Sequence, residues 1–224
     1  MNQPLVSCIM PTYNRHAYLQ AAIECFLRQT YKNRELIILD DSEISSAPEL
    51  DSFWPIKYVM TKRCTTGAKR NACCNLAQGE IICHFDDDDW SCPTRIADQV
   101  KQLVDTCKPV TGYSDMLYWH EIGRYAMRFS EQVKGYVCGM SLCYLRDWWK
   151  SHPFPDRFRG SDNDILYTNL KDIAPIRGVI GSMVARAHNA NVGGKKDSVG
   201  PVVDISLIPA EFWENEKLIK VELA

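Results

Sequence analysis

The chain has 224 residues, of which 46% are apolar and 24% charged, and its net charge is −2. The composition is that of a globular protein, and we expect a single domain over residues 1–224. It excludes a largely disordered chain and argues against a strongly basic nucleic-acid binder. No apolar run reaches about 18 residues, so no membrane-spanning helix is expected.

Ten cysteines are spread along the chain, and several of them lie inside apolar runs. No two are spaced as C-x-x-C, and no set of cysteines and histidines has zinc-finger spacing. The N-terminal residues lack the basic and long apolar segments of a secretory signal. We therefore expect free thiols and a cytoplasmic protein.

The first third of the chain alternates short apolar runs with a helical pattern. Strands are predicted at residues 5–10, 35–41 and 56–61, with a loop at 43–55 before the last of them. Residues 16–29 carry apolar side chains at the i, i+3, i+4 and i+7 spacing of an amphipathic helix. This alternation, with unbroken apolar strands, is typical of an α/β fold with a mostly parallel sheet covered on both faces.

The middle of the chain continues the same alternation. A helix is predicted over residues 67–79, closed by Gly79, and a strand over 80–85. Another helix is expected to begin at Pro93.

The second half has a different texture. Residues 110–145 are strand-like and rich in aromatic side chains, which we interpret mainly as the core of an antiparallel region. A short helix is predicted over 162–173 and a last one over 209–220. A glycine-rich stretch separates them at 191–201.

Polar side chains follow three of the predicted strands. They are PTYN at 11–14, DDS at 40–42 and DDDDW at 86–90. Ligands of open parallel sheets bind beyond the carboxyl ends of the strands, so we expect these segments to converge on one site.

The run of four aspartates is the strongest of these features. Adjacent carboxylates repel one another by on the order of 1 kcal/mol per pair near a surface, and a bound divalent cation would remove that repulsion. Carboxylate oxygens suit Mg²⁺ or Mn²⁺. A solvated acidic turn is the alternative, but the run follows a buried strand and precedes Trp90, which favours the metal.

Two further pairs of residues have two interpretations each. Asp40 and Asp41 either stabilise a turn or accept a hydrogen bond from a nucleotide base or ribose. Lys69 and Arg70, near the start of a helix, either bind a diphosphate or are solvated basic residues. The residues alone leave both alternatives open.

Several segments together resemble glycosyltransferase family 2 in order and spacing. They are VSCIMPTYNR, LIILDDS, GAKRNACCNLAQGEIICHFDDDDW, RGSDNDI and RAHNANVG, and the resemblance spans about residues 5–193. It implies the GT-A fold, with a nucleotide-binding half over about 1–110 and an acceptor-side half over about 111–224. It also implies an inverting, metal-dependent transfer of a sugar from a UDP-sugar to an acceptor hydroxyl, with a TDP-sugar as the second choice of donor.

The resemblance also implies roles for individual residues, matched motif by motif. Asp162 matches the catalytic base, although Ser161 stands where the family usually has Glu, and Asp164 is a nearby alternative base. A helix N-cap is the other interpretation of Asp162. Asp88, Asp86 and His188 match positions that hold Mn²⁺ or Mg²⁺, and His188 could instead be a structural histidine. The matched nucleotide contacts are Pro11, Thr12, Tyr13, Asp40, Asp41, Arg70, Asp86 and Asp87.

The glycine-rich stretch at 191–201 is expected to fold over bound nucleotide, with Gly193, Gly194 and Gly200 as hinges. The rival functions are a non-catalytic nucleotide-sugar-binding remnant and a different Mg²⁺- or Mn²⁺-dependent nucleotide-using transferase. P-loop and dinucleotide-binding glycine motifs are absent from the sequence. The sequence leaves open the donor sugar, the oligomeric state, and whether the acceptor is a glycan, a lipid-linked sugar, a protein or a modified nucleic acid.

Overall fold

The computed structural model describes residues 3–46, 54–131, 133–189, 191 and 200–222. Gly193 and Gly194, two of the three expected hinges, lie outside the described residues, as does the middle of the loop expected at 43–55. The third, Gly200, is described and has its Cα against β-strand backbone, because a Cβ there would lie 1.9 Å from the carbonyl oxygen of Arg128.

Strands and helices alternate along the first half of the chain. The strands are β1 (Val6–Thr12), β2 (Arg34–Asp40), β3 (Ile56–Met60), β4 (Ile81–His84), β5 (Trp90–Ser91), β6 (Val110–Tyr113), β7 (Asp115–His120), β8 (Tyr125–Ser130), β9 (Cys143–Leu145), β10 (Ile173–Ile176), β11 (Met183–Ala187) and β12 (Val202–Val203). The helices are α1 (His16–Leu27), α2 (Thr66–Leu76), α3 (Arg95–Thr106), α4 (Arg146–Ser151), α5 (Ser161–Thr168) and α6 (Ala210–Glu222).

Two sheets are formed by the described residues. The larger has seven strands in the order β10-β6-β9-β4-β1-β2-β3, and the smaller has five in the order β12-β8-β7-β11-β5. In the larger sheet only β9 runs antiparallel to its neighbours, β4 and β6. The predicted α/β class with a mostly parallel sheet is therefore confirmed.

Both faces of the larger sheet are covered, as the unbroken apolar strands predict. Cys8 and Met10 of β1 belong to the core formed with α1 and α3, whereas Ile9 belongs to the core formed with α2. The first of these cores also includes Leu117 of β7 and Phe212 of α6. This shared core joins the smaller sheet to the larger one.

The strand register brings the polar strand ends together. Thr12 of β1 lies opposite Asp40 of β2, and Ile9 of β1 lies opposite His84 of β4, all in parallel pairs. The segments that follow β1, β2 and β4 therefore leave the sheet at the same edge. This is the convergence that the sequence predicts.

The aromatic residues of the antiparallel region lie mainly in the core. Tyr113, Tyr118 and Trp119 are each less than 5% exposed. The hairpin of β7 and β8 carries most of this cluster. The interpretation of this stretch as packed core is confirmed.

Two predicted helix ends are wrong. The helix predicted over 67–79 ends at Leu76, and Ala77 caps it in an extended conformation. Gly79 is instead a point of close approach, since a Cβ there would lie 2.5 Å from the carbonyl oxygen of Leu5. The helix predicted over 162–173 ends at Thr168 because a 3₁₀ turn and β10 follow.

The described residues contain no helix that combines the length and the apolar character needed to cross a membrane.

The close approach at Gly79 can be tested by adding a methyl group. We expect Gly79→Ala to lower the free energy of unfolding in urea by about 1–3 kcal/mol, because the new Cβ overlaps backbone atoms that cannot rotate away. Gly181→Ala is the control, since its Cβ would lie 3.3 Å from Cγ of Pro209, a side-chain atom with room to adjust. Equal losses in the two variants would contradict this interpretation of Gly79.

Candidate active site

The carboxyl ends of β1 and β2 are joined by a buried lysine. Lys69 Nζ donates to the carbonyl oxygen of Thr12 at 2.9 Å and to Oδ1 of Asp41 at 2.6 Å. Lys69 and its neighbour Arg70 are 5% and 6% exposed. Neither is a solvated surface residue, so α2 directs two cations towards the site.

Asp40 organises the loop that follows β2. Its carboxylate accepts hydrogen bonds from the backbone N–H of Ser42 at 2.9 Å and of Ser46 at 2.8 Å, and from the hydroxyls of Ser42 and Tyr58. Burial alone would raise the pKa of Asp40, but these donors outweigh it and lower that pKa below its ordinary value. The carboxylate is therefore ionised and held in one orientation at the strand end.

Asp41 connects the same edge to Tyr13. Arg63 Nη1 lies 2.6 Å from Oδ2 of Asp41, and its guanidinium is 3.6 Å from the centre of the Tyr13 ring. Burial opposes ionisation of Asp41, but the N–H of Cys64 and the cations Lys69 and Arg63 lower its pKa. Arg63 was assigned no role in the site from the sequence alone. Its basic character and its position shortly before α2 were the only features that could have pointed to it.

The aspartate run presents a cluster of oxygen ligands. Asp86, Asp88 and Asp89 each offer a carboxylate oxygen, and these atoms lie within 4.8 Å of one another. Oδ1 of Asp86 is buried and has no hydrogen-bond partner among the described residues. Hard oxygen donors in this arrangement fit Mg²⁺ or Mn²⁺. Asp89 was not among the predicted ligands, although it is the fourth residue of the same run.

His188 lies beside Asp88, as the predicted metal set requires. Its Nε2 is 3.1 Å from Oδ2 of Asp88, and Asn191 Nδ2 lies 2.9 Å from that oxygen and 3.2 Å from Nε2. In the tautomer with an unprotonated Nε2, its one lone pair and Oδ2 of Asp88 both accept from the Asn191 amide, and a cation held by His188 and Asp88 would replace that amide contact. The imidazole also stacks on Tyr18, with ring centres 4.4 Å apart.

Arg15 is a site residue that sequence reasoning missed. Its Nη1 lies 2.5 Å from Oδ1 of Asp87 and 2.7 Å from Oδ2 of Asp88. Burial raises the pKa of Asp87, and the positive charge of Arg15 opposes that rise. The residue ends the PTYNR segment, but its partners lie more than 70 residues away along the chain, so local pattern could not identify them.

Arg186 contacts the backbone of the aspartate run, and it was not identified from the sequence either. It is 1% exposed, and its Nη1 donates to the backbone carbonyl of Asp88 at 3.0 Å. Its Nε lies 2.5 Å from Glu216, and its Nη2 donates to Asn215 at 2.9 Å. Arg186 thereby connects α6 to the loop that carries the candidate ligands.

Arg70 stands between the aspartate run and the candidate base. Its Nη2 is 3.8 Å from Oδ1 of Asp86, and its Nη1 is 3.8 Å from Oδ1 of Asp162. Burial disfavours the charge on Arg70, but Asp162 and Asp86 outweigh it and raise the pKa of the guanidinium. A fixed positive charge therefore lies between two carboxylates that come from different halves of the chain.

The two candidate bases differ in their surroundings. Asp162 lies in the first turn of α5, but Gly160 is the N-cap residue, so the N-cap interpretation of Asp162 is wrong. Its side chain is 22% exposed and faces Arg70. Asp164 is 46% exposed and pairs with Arg157 at 2.8 Å. Of the two, Asp162 is the carboxylate directed at the site.

The sequence profile of glycosyl transferase family 2 matches residues 7–168 of this chain. A putative glycosyltransferase of Bacillus subtilis, EpsH, is 28% identical over 175 residues, which are 76% of this chain and 47% of EpsH. The chain spans less than half the length of the first curated relatives that it matches.

Two solved structures resemble this one along most of its length. Staphylococcus aureus TarS 1–349 in complex with UDP-GlcNAc has a TM-score of 0.65 and 19% identity, covering 97% of this chain and 66% of TarS 1–349. The mannosyltransferase PcManGT from Pyrobaculum calidifontis, in complex with GDP-Man and Mn²⁺, has a TM-score of 0.64 and 16% identity, covering 85% of this chain and 59% of PcManGT. At these identities the likeness concerns the fold, which is GT-A as expected.

The role of Arg15 as a partner of buried carboxylates can be tested through stability. Arg15→Met leaves Asp87 and Asp88 without this cation, and the pKa of Asp87, already raised by burial, rises further. A group whose pKa is raised on folding penalises the folded state at higher pH and ceases to do so as pH falls through that pKa. We expect a loss of about 3–5 kcal/mol in the free energy of unfolding near neutral pH, and a smaller loss at about pH 5.

The measurement is urea denaturation with chelator at both pH values. Arg157→Met is the matched control, because Arg157 pairs with Asp164 but is 52% exposed. Its loss should stay within about 1 kcal/mol. A loss for Arg15→Met that is the same at both pH values would contradict the electrostatic role.

Proposed function

Since this chain belongs to glycosyl transferase family 2, we propose that it is a metal-dependent, inverting hexosyltransferase whose donor is a UDP-sugar. The observation that carries the proposal is the position of Arg70, 3.8 Å from both Asp86 and Asp162. One cation thereby joins the edge of the parallel sheet to a carboxylate of the acceptor-side half. Such an edge binds nucleotides in open α/β sheets, and such a carboxylate can accept a proton.

The proposed metal ligands are Asp88, Asp86 and His188, with Asp89 as a further carboxylate. The buried Asp86 oxygen without a hydrogen-bond partner among the described residues supports this assignment. Mn²⁺ or Mg²⁺, when bound there, would neutralise negative charge on the leaving diphosphate. Arg70 stabilises the same charge from the α2 side of the site.

The proposed nucleotide pocket lies at the ends of β1 and β2, with Pro11, Thr12, Tyr13 and Asp41 along it. A uracil N–H contact at Asp40 would replace one of the hydroxyl donors that now reach this carboxylate. Asp87 is proposed to contact the ribose or the donor sugar. The mannosyltransferase neighbour binds GDP-Man, so guanine is the alternative base to be tested.

Asp162 is proposed to act as the general base. It would accept the proton of the acceptor hydroxyl as that oxygen attacks the sugar carbon from the face opposite the diphosphate. Direct displacement of this kind inverts the anomeric centre and needs no covalent enzyme intermediate. Arg70, next to Asp162, keeps the carboxylate directed at the site.

We further propose that residues 1–224 form one catalytic domain whose halves share the core described above. All ten cysteines lie in the described part of the chain and are free thiols, which supports a cytoplasmic location. A hydroxyl on a glycan, a lipid-linked sugar, a protein or a modified nucleic acid is compatible with the site.

Thermal stability with nucleotides tests the donor and the metal together. The chain is melted with UDP, TDP, GDP or CDP, each with Mn²⁺, Mg²⁺ or chelator. A ligand at 100 times its dissociation constant adds about 2.7 kcal/mol, and we expect this only for UDP with metal. Asp88→Asn should abolish the metal-dependent shift, whereas Asp105→Asn, an exposed surface change, should retain it.

A shift with another nucleotide would be consistent with a transferase but would overturn the assignment of uracil as the donor's nucleobase. A shift that does not depend on metal would remove Asp88 from the proposed ligands.

The base is tested by a pair of isosteric variants in the first turn of α5. Asp162→Asn should lower transfer and UDP-sugar hydrolysis by roughly 10²–10⁴-fold with unchanged UDP affinity, because the proton acceptor is lost and the pocket is kept. Asp164→Asn should stay close to the unaltered rate, since its carboxylate pairs with Arg157 at the surface. The reverse order of effects would assign the base to Asp164. Full activity in both variants would favour a different mechanism.

A further inference from the structure

His84 is a fully buried histidine that the mechanism above does not use. It ends β4, two residues before Asp86, and is 0% exposed. Its Nδ1 lies 2.9 Å from the carbonyl oxygen of Gly139, and its Nε2 lies 3.2 Å from the hydroxyl of Tyr144. A carbonyl oxygen can only accept, so Nδ1 carries the proton and donates to Gly139, and Nε2 accepts from Tyr144.

Gly139 is the surface against which the candidate base rests. A Cβ on Gly139 would lie 1.7 Å from Oδ2 of Asp162 and 2.5 Å from its Cγ. The carboxyl group of Asp162 therefore lies directly over the Cα of Gly139, in space that any other residue would fill. The position of this Cα decides where the carboxylate can be.

The turn that contains Gly139 is held by three buried side chains. It is a 3₁₀ turn over Gly139–Ser141, and its three successive carbonyl oxygens each accept from a different donor. The donors are His84 to Gly139, Arg95 to Met140 at 3.1 Å, and Gln99 to Ser141 at 2.5 Å. Each of the three donors is 0% exposed.

Arg95 also fastens this arrangement to β4, because its Nη2 donates to the carbonyl oxygen of His84 at 2.5 Å. His84 is thus linked to the turn through both its side chain and its backbone. Beyond His84 the same strand leads directly into Asp86. The aspartate run and the turn that supports Asp162 are therefore both attached to the end of β4.

We propose that His84 is a positioning residue for Asp162: by holding the Gly139 turn against β4, it fixes the distance between the proposed base and the aspartate run. The expected effect on kcat rests on the proposed function. The expected effect on the mobility of the Gly139 turn and α5 can be measured without activity. Removing the hydrogen bond should let the turn and the first turn of α5 loosen together.

The test compares two substitutions that differ in the donor. His84→Asn keeps an N–H near the position of Nδ1, whereas His84→Phe keeps a ring and has no donor. UDP-sugar hydrolysis, scanned over UDP-Glc, UDP-GlcNAc and UDP-Gal, supplies kcat and KM, and calorimetry supplies the UDP dissociation constant. For His84→Phe we expect kcat per folded molecule to fall roughly 10- to 100-fold with KM and UDP affinity unchanged, and His84→Asn to recover most of it.

Hydrogen exchange followed by mass spectrometry provides the readout that does not need activity. In His84→Phe, peptides from the Gly139–Ser141 turn and from α5 should both exchange faster than in the unaltered chain, and peptides from β1 and β2 should not. His84→Asn should restore both. Thermal melts confirm that each variant is folded at the assay temperature.

Gly139→Ala gives a second, independent test, because its methyl group displaces the carboxylate while His84 is unchanged. We expect a loss in kcat that is not additive with Asp162→Asn in the double variant, since both changes act on the same group.

Faster exchange confined to the turn, or equal kcat loss in His84→Asn and His84→Phe, would overturn the positioning role. If the unaltered chain neither binds UDP nor hydrolyses a UDP-sugar, the proposed function fails, and joint loosening of the turn and α5 still decides the structural claim.

Discussion

Four consecutive carboxylates leave the end of a buried strand, and Asp87, Asp88 and Asp89 are each no more than 3% exposed. Buried carboxylates are costly unless cations and hydrogen bonds compensate them. The chain supplies the cations Arg15, from the segment before α1, and Arg70, from α2. Arg186 of β11 adds hydrogen bonds, from its backbone N–H to Asp89 and from its side chain to the backbone carbonyl of Asp88. The charge and the polar backbone of this one segment therefore constrain where the segment before α1, α2 and β11 lie.

Charge compensation also explains why α2 carries two adjacent cations, which pair with carboxylates at two different strand ends. Lys69 and Arg70 are adjacent in sequence, so their side chains leave the helix in directions about 100° apart. Lys69 reaches Asp41 at the end of β2, and Arg70 lies between the end of β4 and α5. Gly67 in the first turn allows this helix to come close, because a Cβ there would lie 1.9 Å from the carbonyl oxygen of Pro155. One helix thus balances charge at two strand ends and contacts the acceptor-side half.

Apolar periodicity in the sequence predicts the first four strands and α1, because their formation is decided by residues that are close along the chain. The convergence of the polar strand ends follows as well, since parallel strands end at one edge, whereas the assignment of Asp86 and Asp88 as metal ligands comes from the family resemblance and is a proposal. Arg15 and Arg186 could not be identified, because their partners in the aspartate run lie about 70 to 100 residues away and are brought close only by packing. Gly79 was misinterpreted for the same reason. A glycine after a helix is usually a cap, and only the approach of β1 shows that this one is a contact.

The position of Asp162 illustrates how a side chain from the second half of the chain can be held beside a strand end of the first half. The shared apolar core joins the two sheets, but hydrophobic burial is non-directional and tolerates small displacements. Hydrogen bonds weaken steeply with distance and angle, so a turn held by three buried donors has little freedom. His84, Arg95 and Gln99 supply those donors from β4 and α3. The core therefore brings the halves together, and the polar contacts at the end of β4 set the position of Asp162 relative to the aspartate run.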